Sequence, residues 1–479
     1  MMDAKPLVVD LDGTLVKTDL LFESANRYIA EYPLLLFRLL LWLLTGKAML
    51  KANLATACAI DPALLPYNES LVSWLRQERA KGRHLVLATA SHQKQAAGIA
   101  AYLDLFDDVL ATREGVNLKS HKKRDMLVER YGAGGYDYIG NEMADLPVWK
   151  SAACAYLVSD SGHLKDRIKR EVNLVRVFSD QKRPFYISFI RAIRPHQWVK
   201  NLLLFVPLVA AHRYQDDNGL FLTFLAFLVF GLTASAVYLL NDLIDVEDDR
   251  SHPRKKYRPF ASGDLSLLQG WIAWPLLLTV AAITSYLLLP LGFSMVLVAY
   301  FLVTLGYSLR LKQGVIVDVI ILAVLYTLRL VAGAAVINTP LSFWLLTFSM
   351  FLFLSLAFMK RFNELRMARE RGRQGKLSGR GYAQDDLEVV SSMGTGSGYL
   401  AVLVLALYIQ DRHTAELYAT PEFIWLACPL LLYWISRVWL IAHRGNMHDD
   451  PVVFAIKDRS SWLVALLFVL VFTLARIGM

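Results

Sequence analysis

Two acidic residues near the N-terminus follow a short apolar run. In VVDLDGTL, Asp10 and Asp12 are separated by one residue and followed by Gly13 and Thr14. A carboxylate at a strand end can attack phosphorus, and a second carboxylate two residues on can protonate the leaving oxygen. Such a pair needs a cation to offset its own repulsion and the charge of a phosphate. The motif therefore predicts phosphate chemistry that needs a cation, and a strand-end turn with chance acids is the alternative.

A second polar group stands where a long apolar segment ends, in YLLNDLIDVEDDRSHPRKKYRPF. Its acidic and amide residues are spaced to share one helical face. They are Asn241, Asp242, Asp245 and Asp249, and the basic residues after them include Lys255 and Arg258. The acids can hold Mg²⁺, and the bases can bind the remaining oxygens of a diphosphate. A solvated loop of mixed charge is the alternative.

Two charged residues, Asp318 and Arg329, lie inside a later apolar segment. Eleven residues of helix make almost three turns, so both side chains are expected to point the same way. Charges inside a membrane are costly and usually functional. The alternatives are a structural ion pair between the two residues and an arginine that extends to the membrane surface.

Over residues 1–180, which carry the first motif, predicted strands alternate with predicted helices. Short apolar runs predict six strands, in PLVVD, HLVLAT, DDVLAT, YDYIG, AYLVS and NLVRVF. This pattern predicts an α/β domain with a mainly parallel sheet, whose ligands lie at the carboxyl ends of the strands. The long interval near residues 20–80 predicts a helical cap. Residues 181–198 read as a linker that ends in an interfacial segment.

The rest of the chain, residues 199–479, predicts an all-α membrane domain. The chain is 55% hydrophobic, and most long apolar runs follow residue 200. Nine spans are predicted, near residues 200–212, 219–240, 270–289, 291–309, 315–337, 341–359, 398–410, 423–442 and 460–478. The loops after the even-numbered spans carry nearly all the loop Lys and Arg, which places them and the N-terminal domain in the cytoplasm.

Composition also limits the partners. The net charge of the chain is +9, and its arginine-rich stretches lie in loops between spans. Lys and Arg in such loops contact lipid head groups or phosphates, so no nucleic-acid partner is expected. We expect an integral protein of a bacterial-type inner membrane or plasma membrane. The run YPLLLFRLLLWLLTG is too short to span a bilayer, and either lies on its surface or forms a buried cap helix. The oligomeric state stays open.

Residues 5 to 178 resemble the haloacid dehalogenase-like phosphatases. The resemblance rests on DLDGT, HLVLAT, KSHKKRDML and GNEMAD, in that order. It implies that Asp10 is the nucleophile and Asp12 the general acid and base. It further implies phosphate binding by Thr89 and Lys123, and Mg²⁺ binding by Asp10, Asn141 and Asp145. Lys119 and Lys122 are alternatives to Lys123, and Asn141 replaces the commoner Asp.

Residues 190 to 479 resemble the UbiA-type intramembrane transferases, whose mark is NDxxDxxxD followed by a basic RP segment. The resemblance implies that Mg²⁺ is bound by Asn241, Asp242, Asp245, Asp249 and Asp318, with Asp242 and Asp245 as catalytic residues. The family's aromatic prenyltransferases usually carry a second paired-Asp motif, whereas Asp318 here is followed by Leu322. This difference argues against a plain aromatic prenyl transfer.

The segments IRPHQWVKN, YSLRLK, MKRFNELR and DDPVVFAIKDR look like the branch that moves phosphoribose from phosphoribosyl diphosphate onto decaprenyl phosphate. This likeness implies a polyprenyl lipid and a diphosphate donor as substrates. The implied phosphate-binding residues are Arg194, Lys200, Lys255, Arg258, Arg329 and Lys360, with Arg361 as an alternative to Lys360. Prenyl transfer from a prenyl diphosphate and a membrane-tethered phosphatase are the rival functions. In the favoured hypothesis, the first domain removes the 5-phosphate from the lipid product.

Overall fold

The computed structural model describes residues 5–113, 118–180, 182–213, 215–370, 380–410, 418–447 and 450–477. It divides into two compact units. The first unit comprises Met1–Ile193 and Tyr238–Pro275, and the second comprises Arg194–Val237 and Leu276–Met479. The segment that carries the second acidic group therefore packs with the N-terminal part of the chain.

A parallel sheet forms the centre of the first unit, as predicted. Its strands are β1 (Leu7–Val9), β2 (Leu85–His92), β3 (Asp108–Thr112), β4 (Asp137–Gly140), β5 (Ala155–Val158) and β6 (Leu174–Phe178). Their order is β3-β2-β1-β4-β5-β6, and every neighbouring pair is parallel. Because β1 is central, the sequence after Val9 emerges in the middle of the carboxyl edge, where open sheets of this class bind ligands.

Helices flank the strands and fill the long interval between β1 and β2. That interval holds α1 (Leu20–Glu31), α2 (Leu36–Leu44), α3 (Lys47–Ala57) and α4 (Glu69–Ala80). The later helices are α5 (Gln93–Leu103), α6 (His121–Tyr131), α7 (Leu146–Ser151), α8 (Gly162–Glu171) and α9 (Phe185–Ile193). The Asp19 side chain caps α1 by accepting a hydrogen bond from the Leu21 amide at 2.8 Å. The start of α1 is thereby fixed close to the DLDGT loop.

Helix α2 leaves an apolar side uncovered. Phe37 and Leu41 are each 54% exposed and Leu44 is 83% exposed, whereas Leu39 and Trp42 pack against the cluster around Tyr28. The interpretation of this run as a buried cap helix is therefore wrong. Its position on the membrane surface remains a prediction.

Within the described residues, eight helices are long and apolar enough to cross a membrane. They are Asp217–Ile244, Leu267–Leu288, Leu291–Leu309, Val317–Val336, Phe343–Glu370, Gln384–Ile409, Pro421–His443 and Arg459–Ile477. Their α-helical parts are α11 (Asp217–Ile244), α13 (Leu267–Leu288), α14 (Leu291–Leu309), α15 (Val317–Val336), α16 (Phe343–Glu370), α17 (Leu387–Ile409), α18 (Ala427–His443) and α20 (Arg459–Ile477). The short helix α10 (Val206–Ala210) precedes α11, and the short helices α12 (Val246–Ser251) and α19 (Pro451–Lys457) lie between the long ones.

The prediction of nine spans is not confirmed, because the first predicted span is not a long α-helix. Its residues form a 3-10 helix, Pro195–Phe205, followed by the five-residue α10. A 3-10 helix rises about 2.0 Å per residue and an α-helix about 1.5 Å, so the two pieces together extend about 30 Å. That length equals the hydrocarbon thickness of a bilayer, about 30 Å.

Candidate active sites

The first site lies at the carboxyl edge of the sheet, where a buried lysine joins two buried acids. Lys123 Nζ donates to Asp10 Oδ1 at 2.7 Å and to the hydroxyl of Tyr138 at 3.0 Å. The Tyr138 hydroxyl in turn donates to Asp145 Oδ1 at 2.9 Å. Lys123 is 4% exposed, whereas Lys119 and Lys122 are exposed to solvent. Of the three lysine candidates, Lys123 is therefore the one that the fold brings to Asp10.

Burial and neighbouring charges shape the titration of this pair. Burial raises the pKa of Asp10 to about 7, and the ammonium of Lys123 opposes that rise. Burial acts to lower the pKa of Lys123, but the carboxylates of Asp10 and Asp145 outweigh burial and raise it. A cation bound here would favour the ionised form of Asp10, which is the form that can attack phosphorus.

The second acid of the motif faces hydroxyl groups from β2. Ser91 Oγ donates to Asp12 Oδ2 at 2.6 Å, and Thr89 Oγ1 lies 3.5 Å from the same oxygen. The other oxygen, Asp12 Oδ1, accepts the amide hydrogen of Leu20 at 2.9 Å. Asp12 is thus held between β2 and the first turn of α1, with its carboxylate beside Thr89.

The residues around Asp10 fit a divalent cation. Asn141 Oδ1 is buried and has no hydrogen-bond partner, although a buried carbonyl oxygen ordinarily has one. The Asn141 amide lies against Gly13, which adopts a φ of 72°, so that a Cβ at this position would collide with the amide. Amide and carboxylate oxygens are the ligands that Mg²⁺ prefers. Asp10 and Asn141 therefore offer suitable oxygen ligands for Mg²⁺, whereas both oxygens of Asp145 already accept hydrogen bonds, from the Tyr138 hydroxyl and from the backbone amide of Asn141.

The second site lies where α11 ends and α12 begins. Arg258 Nη1 donates to Asp242 Oδ1 at 3.0 Å and to Asp249 Oδ2 at 2.7 Å. Asp242 and Asp249 are 2% and 1% exposed. Asn241 and Asp245 are half-buried in the same turn. Two of the predicted acids thus converge on one guanidinium, and Lys255 Nζ lies 3.9 Å from Asp249.

Burial and the neighbouring cations act in opposite directions on the Asp249 carboxylate. Burial raises the pKa of Asp249 to about 6, against the lowering effect of Arg258. Burial acts to lower the pKa of Arg258, but Asp242 and Asp249 outweigh burial and raise it. Asp249 Oδ1 is buried without a hydrogen-bond donor, so this oxygen fits a cation. In the described part of the chain, however, no three His, Cys, Asp or Glu side chains already form a metal cluster.

Asp318 does not occupy an open position. Its carboxylate accepts hydrogen bonds from Arg361 Nε and, at 2.7 Å, from the Tyr382 hydroxyl, and both Asp318 and Arg361 are fully buried. The alternative of a structural ion pair between Asp318 and Arg329 is wrong, because Asp318 pairs with Arg361 and Arg329 contacts Asn201. A metal-binding role for Asp318 is disfavoured, because protein donors already surround its oxygens.

Arg329 forms a separate buried cluster. Its Nε donates to Asn201 Oδ1 at 3.1 Å, its Nη2 donates to the Tyr300 hydroxyl at 3.1 Å, and the guanidinium packs 5.3 Å from the Phe230 ring centroid. A third nitrogen donates to the backbone carbonyl of Leu325. These contacts hold the 3-10 helix against α14 and α15. They support a structural role rather than the predicted phosphate-binding role.

A third group of charges joins two lysines that the sequence singled out. Lys200 Nζ donates to Asp450 Oδ2 at 2.8 Å, and Lys360 Nζ lies 3.6 Å from the same oxygen. Burial acts to raise the pKa of Asp450, but the two lysines outweigh burial and hold it well below its ordinary value. Arg194 immediately precedes the 3-10 helix that carries Lys200. One carboxylate thus lies between two cations, an arrangement that a phosphate could also satisfy.

Sequence reasoning missed several residues of these sites. Tyr138 lies within β4, and nothing in the run YDYIG distinguishes it from a core tyrosine. Ser91, by contrast, follows Thr89 by two residues, so it could have been proposed from the alternation of side chains along a strand. Tyr382 and Asp450 reach their partners only through the tertiary fold.

The chain is similar to known proteins over its second half and, for one relative, over almost its whole length. A family model described as the UbiA prenyltransferase family matches residues 202–464. The protein y4nM of Sinorhizobium fredii is 35% identical over 471 residues, which cover 98% of this chain and 91% of that protein. Nodulation protein NoeC of Azorhizobium caulinodans is 38% identical over 280 residues, covering 58% of this chain and 89% of NoeC.

A further relative is the decaprenyl-phosphate phosphoribosyltransferase of Mycobacterium tuberculosis. It is 32% identical over 287 residues, which cover 58% of this chain and 91% of that protein. The family model extends over more than half of the chain, and the match to y4nM extends over almost all of it. The chain belongs to the UbiA prenyltransferase family.

Proposed function

We propose that the membrane part transfers phosphoribose from phosphoribosyl diphosphate to a polyprenyl phosphate. The observation that carries this proposal is the convergence of Asp242, Asp249 and Arg258 at the end of α11. Buried acids beside a guanidinium suit a diphosphate with its cation. The relatives named decaprenyl-phosphate phosphoribosyltransferase supply the choice of sugar donor and lipid acceptor.

The proposed transfer is a substitution at the anomeric carbon of ribose. An oxygen of the lipid phosphate forms a bond to that carbon, and the bond from the carbon to diphosphate breaks, so that diphosphate leaves with the electron pair. Mg²⁺ held by Asn241, Asp242, Asp245 and Asp249 would offset the negative charge of the leaving diphosphate. Arg258 would add hydrogen bonds to its oxygens. The Lys200, Lys360 and Asp450 group is a candidate site for the lipid phosphate.

For the first domain we propose a phosphatase that removes the 5-phosphate of the lipid product. In this reaction Asp10 attacks phosphorus, and the bond from phosphorus to the ribose oxygen breaks while Asp12 protonates that oxygen. Water then releases phosphate from the aspartyl intermediate. The ion pair between Lys123 and Asp10 at 2.7 Å supports this proposal, because the lysine can also bind the phosphate under attack.

The transfer is tested by incubating the purified protein with Mg²⁺, polyprenyl phosphate and one labelled donor at a time. Sugar label from phosphoribosyl diphosphate is expected in the extracted lipid, and label from a prenyl diphosphate is expected to stay with its donor. Label that appears in an acceptor only from the prenyl diphosphate would establish the rival prenyl transfer. Absence of lipid transfer from every donor, with phosphate release intact, would favour a tethered phosphatase.

The arrangement of the first unit supports a ninth membrane crossing. We infer that Met1–Ile193, which belongs to one compact unit with Tyr238–Pro275, lies on the membrane side where the span Asp217–Ile244 ends. Because the span Asp217–Ile244 crosses once, the chain has to cross again between residues 193 and 217. The 3-10 helix with α10 is long enough to do so. We propose that this segment crosses and that the first unit is cytoplasmic.

The topology is tested with single cysteines in a background without Cys58, Cys154 and Cys428. A cysteine at the exposed position Asn218 is expected to react with an impermeant maleimide in intact cells. A cysteine at the exposed position Lys94 is expected to react only after permeabilisation. Equal labelling of both positions in intact cells would contradict the additional crossing.

A further inference from the structure

One face of α1 contacts the segment that carries the second acidic group. Asn26 Nδ2 donates to the carbonyl of Leu243 at 2.8 Å, and Arg27 Nη1 lies 3.1 Å from Glu247 Oε1. Leu243 lies in the last turn of α11, where backbone carbonyls lack partners within the helix. The Asn26 side chain therefore satisfies one of these carbonyls. Both segments belong to the same compact unit.

The strongest of these contacts is a buried ion pair. Arg250 Nη1 and Nη2 donate to the two carboxylate oxygens of Glu23 at 3.0 and 2.7 Å. The side chains are 6% and 5% exposed. Arg250 Nε also donates to the carbonyl of Ala261 at 3.1 Å. A bidentate, desolvated pair fixes both distance and orientation, and loss of one partner would leave the other charge buried and uncompensated.

The register of the segment explains why these contacts matter for the acids. Contacts with α1 fall at positions 243, 247 and 250, and the carboxylates fall at 242, 245 and 249. Each set of positions follows helical spacing, and the two sets are offset from each other by about one residue. The residues that contact α1 and the acids therefore occupy adjacent faces of this segment. Residues on one face are held by α1 while the acids on the other face meet Arg258. The contacts therefore set where the acids point.

Asn26 is itself held in place. Trp271 Nε1 donates to Asn26 Oδ1 at 2.9 Å, and Asn26 is 2% exposed. At the N-terminal end of α1, the Leu20 amide donates to Asp12 Oδ1 at 2.9 Å. Helix α1 has twelve residues and is about 18 Å long. It thus begins beside the DLDGT motif and contacts the segment that carries the second acidic group.

We propose that Glu23 and Asn26 are positioning residues for the transferase. In this view the N-terminal domain has a second role besides its own chemistry, because α1 holds the segment of Asp242, Asp245 and Asp249 in the form that binds a cation and diphosphate. The inference rests on the proposed function of that segment. It assigns no contact between α1 and the substrates.

The test measures binding of inorganic diphosphate in the presence of Mg²⁺, using full-length protein with Asp10→Asn so that the first site has no nucleophile. Adding Glu23→Gln is expected to weaken binding roughly tenfold or more, as found for residues that orient metal ligands. Glu31→Gln is the matched control on the same helix. Glu31 is exposed and pairs with Arg27 within α1 rather than with the segment of the acids, so little change is expected.

Further variants separate positioning from misfolding. If Glu23→Gln does not fold, as judged by its melting transition, Trp271→Phe removes the hydrogen bond that orients Asn26 while keeping an aromatic ring, and about threefold weaker binding is expected. The double variant Glu23→Gln, Arg250→Gln is expected to bind no more weakly than the poorer single variant, because both remove one pair. Unchanged binding in a folded Glu23→Gln variant, or in Trp271→Phe when Glu23→Gln does not fold, would overturn the inference.

The proposed function fails by a different result. Suppose that Glu23→Gln loses magnesium-dependent diphosphate binding, but the protein with native Asp10 transfers nothing from phosphoribosyl diphosphate. This result would refute the proposed donor and would still support the positioning role. Diphosphate binding that is insensitive to Asp242→Asn would refute the site itself.

Discussion

Asp242→Asn is expected to lower the rate of lipid transfer at least about a hundredfold. The substitution removes a charge that Arg258 now contacts at 3.0 Å and that we propose helps to hold the cation. An amide keeps the shape of the side chain but binds a divalent cation more weakly. The measurement is the initial rate of label transfer into lipid at saturating donor, together with the Mg²⁺ concentration that gives half the maximal rate.

Asp248→Asn is the matched control, because Asp248 is an exposed acid in the same segment. It should transfer at close to the unmodified rate. Phosphate release by the first domain from a soluble phosphate ester should be unaltered in both variants. Transfer by Asp242→Asn within a few fold of the unmodified protein would show that the acids at the end of α11 do not serve the reaction.

Asp10→Asn is expected to lower phosphate release at least about a thousandfold, because the amide cannot act as the nucleophile. Lipid transfer should continue, since Asp10 has no part in the proposed substitution at ribose. The product should therefore accumulate with its 5-phosphate attached. Phosphate release and lipid-bound label are measured in the same reaction mixture.

Asp125→Asn, a substitution at an exposed acid of α6, serves as the control for this experiment. It should release phosphate normally. Phosphate release by Asp10→Asn at the unmodified rate would remove Asp10 from the mechanism. Loss of both activities in a folded Asp10→Asn variant would contradict the assignment of separate sites to the two reactions.

The fold was predictable wherever the pattern of apolar residues in the sequence was typical of one kind of element. Six short apolar runs each formed a strand, and eight long apolar stretches coincide with helices able to cross a membrane. The segment after Arg194 defeated the same reasoning. Its apolar content indicates a span, but Pro195 and Pro207 and a buried lysine, Lys200, accompany a 3-10 helix followed by a short α-helix.

Local motifs predicted which acids would gather but not what would surround them. The spacing of Asp242 and Asp249 was sufficient to bring both carboxylates to Arg258. The partner of Asp318 was not predictable, because Arg361 comes from another helix and the alternative, Arg329, has the better spacing in sequence. Helical spacing states which side of a helix a residue occupies, and only packing decides what lies opposite.

The contacts of α1 were hidden for the same reason. Glu23 and Asn26 read as ordinary polar residues of an amphipathic helix, and their partners follow more than 200 residues later. No local pattern marks a residue whose role is to hold another segment. The structure shows these contacts because it joins α1, whose Leu20 amide donates to Asp12, to the segment of the second acidic group.

The most direct test of the central claim is the mass of the lipid formed from phosphoribosyl diphosphate and polyprenyl phosphate. The unmodified protein is expected to add a pentose, and Asp10→Asn is expected to add a pentose that retains its phosphate. A lipid that gains no pentose from either protein, while a prenyl diphosphate yields a prenylated acceptor, would contradict the account.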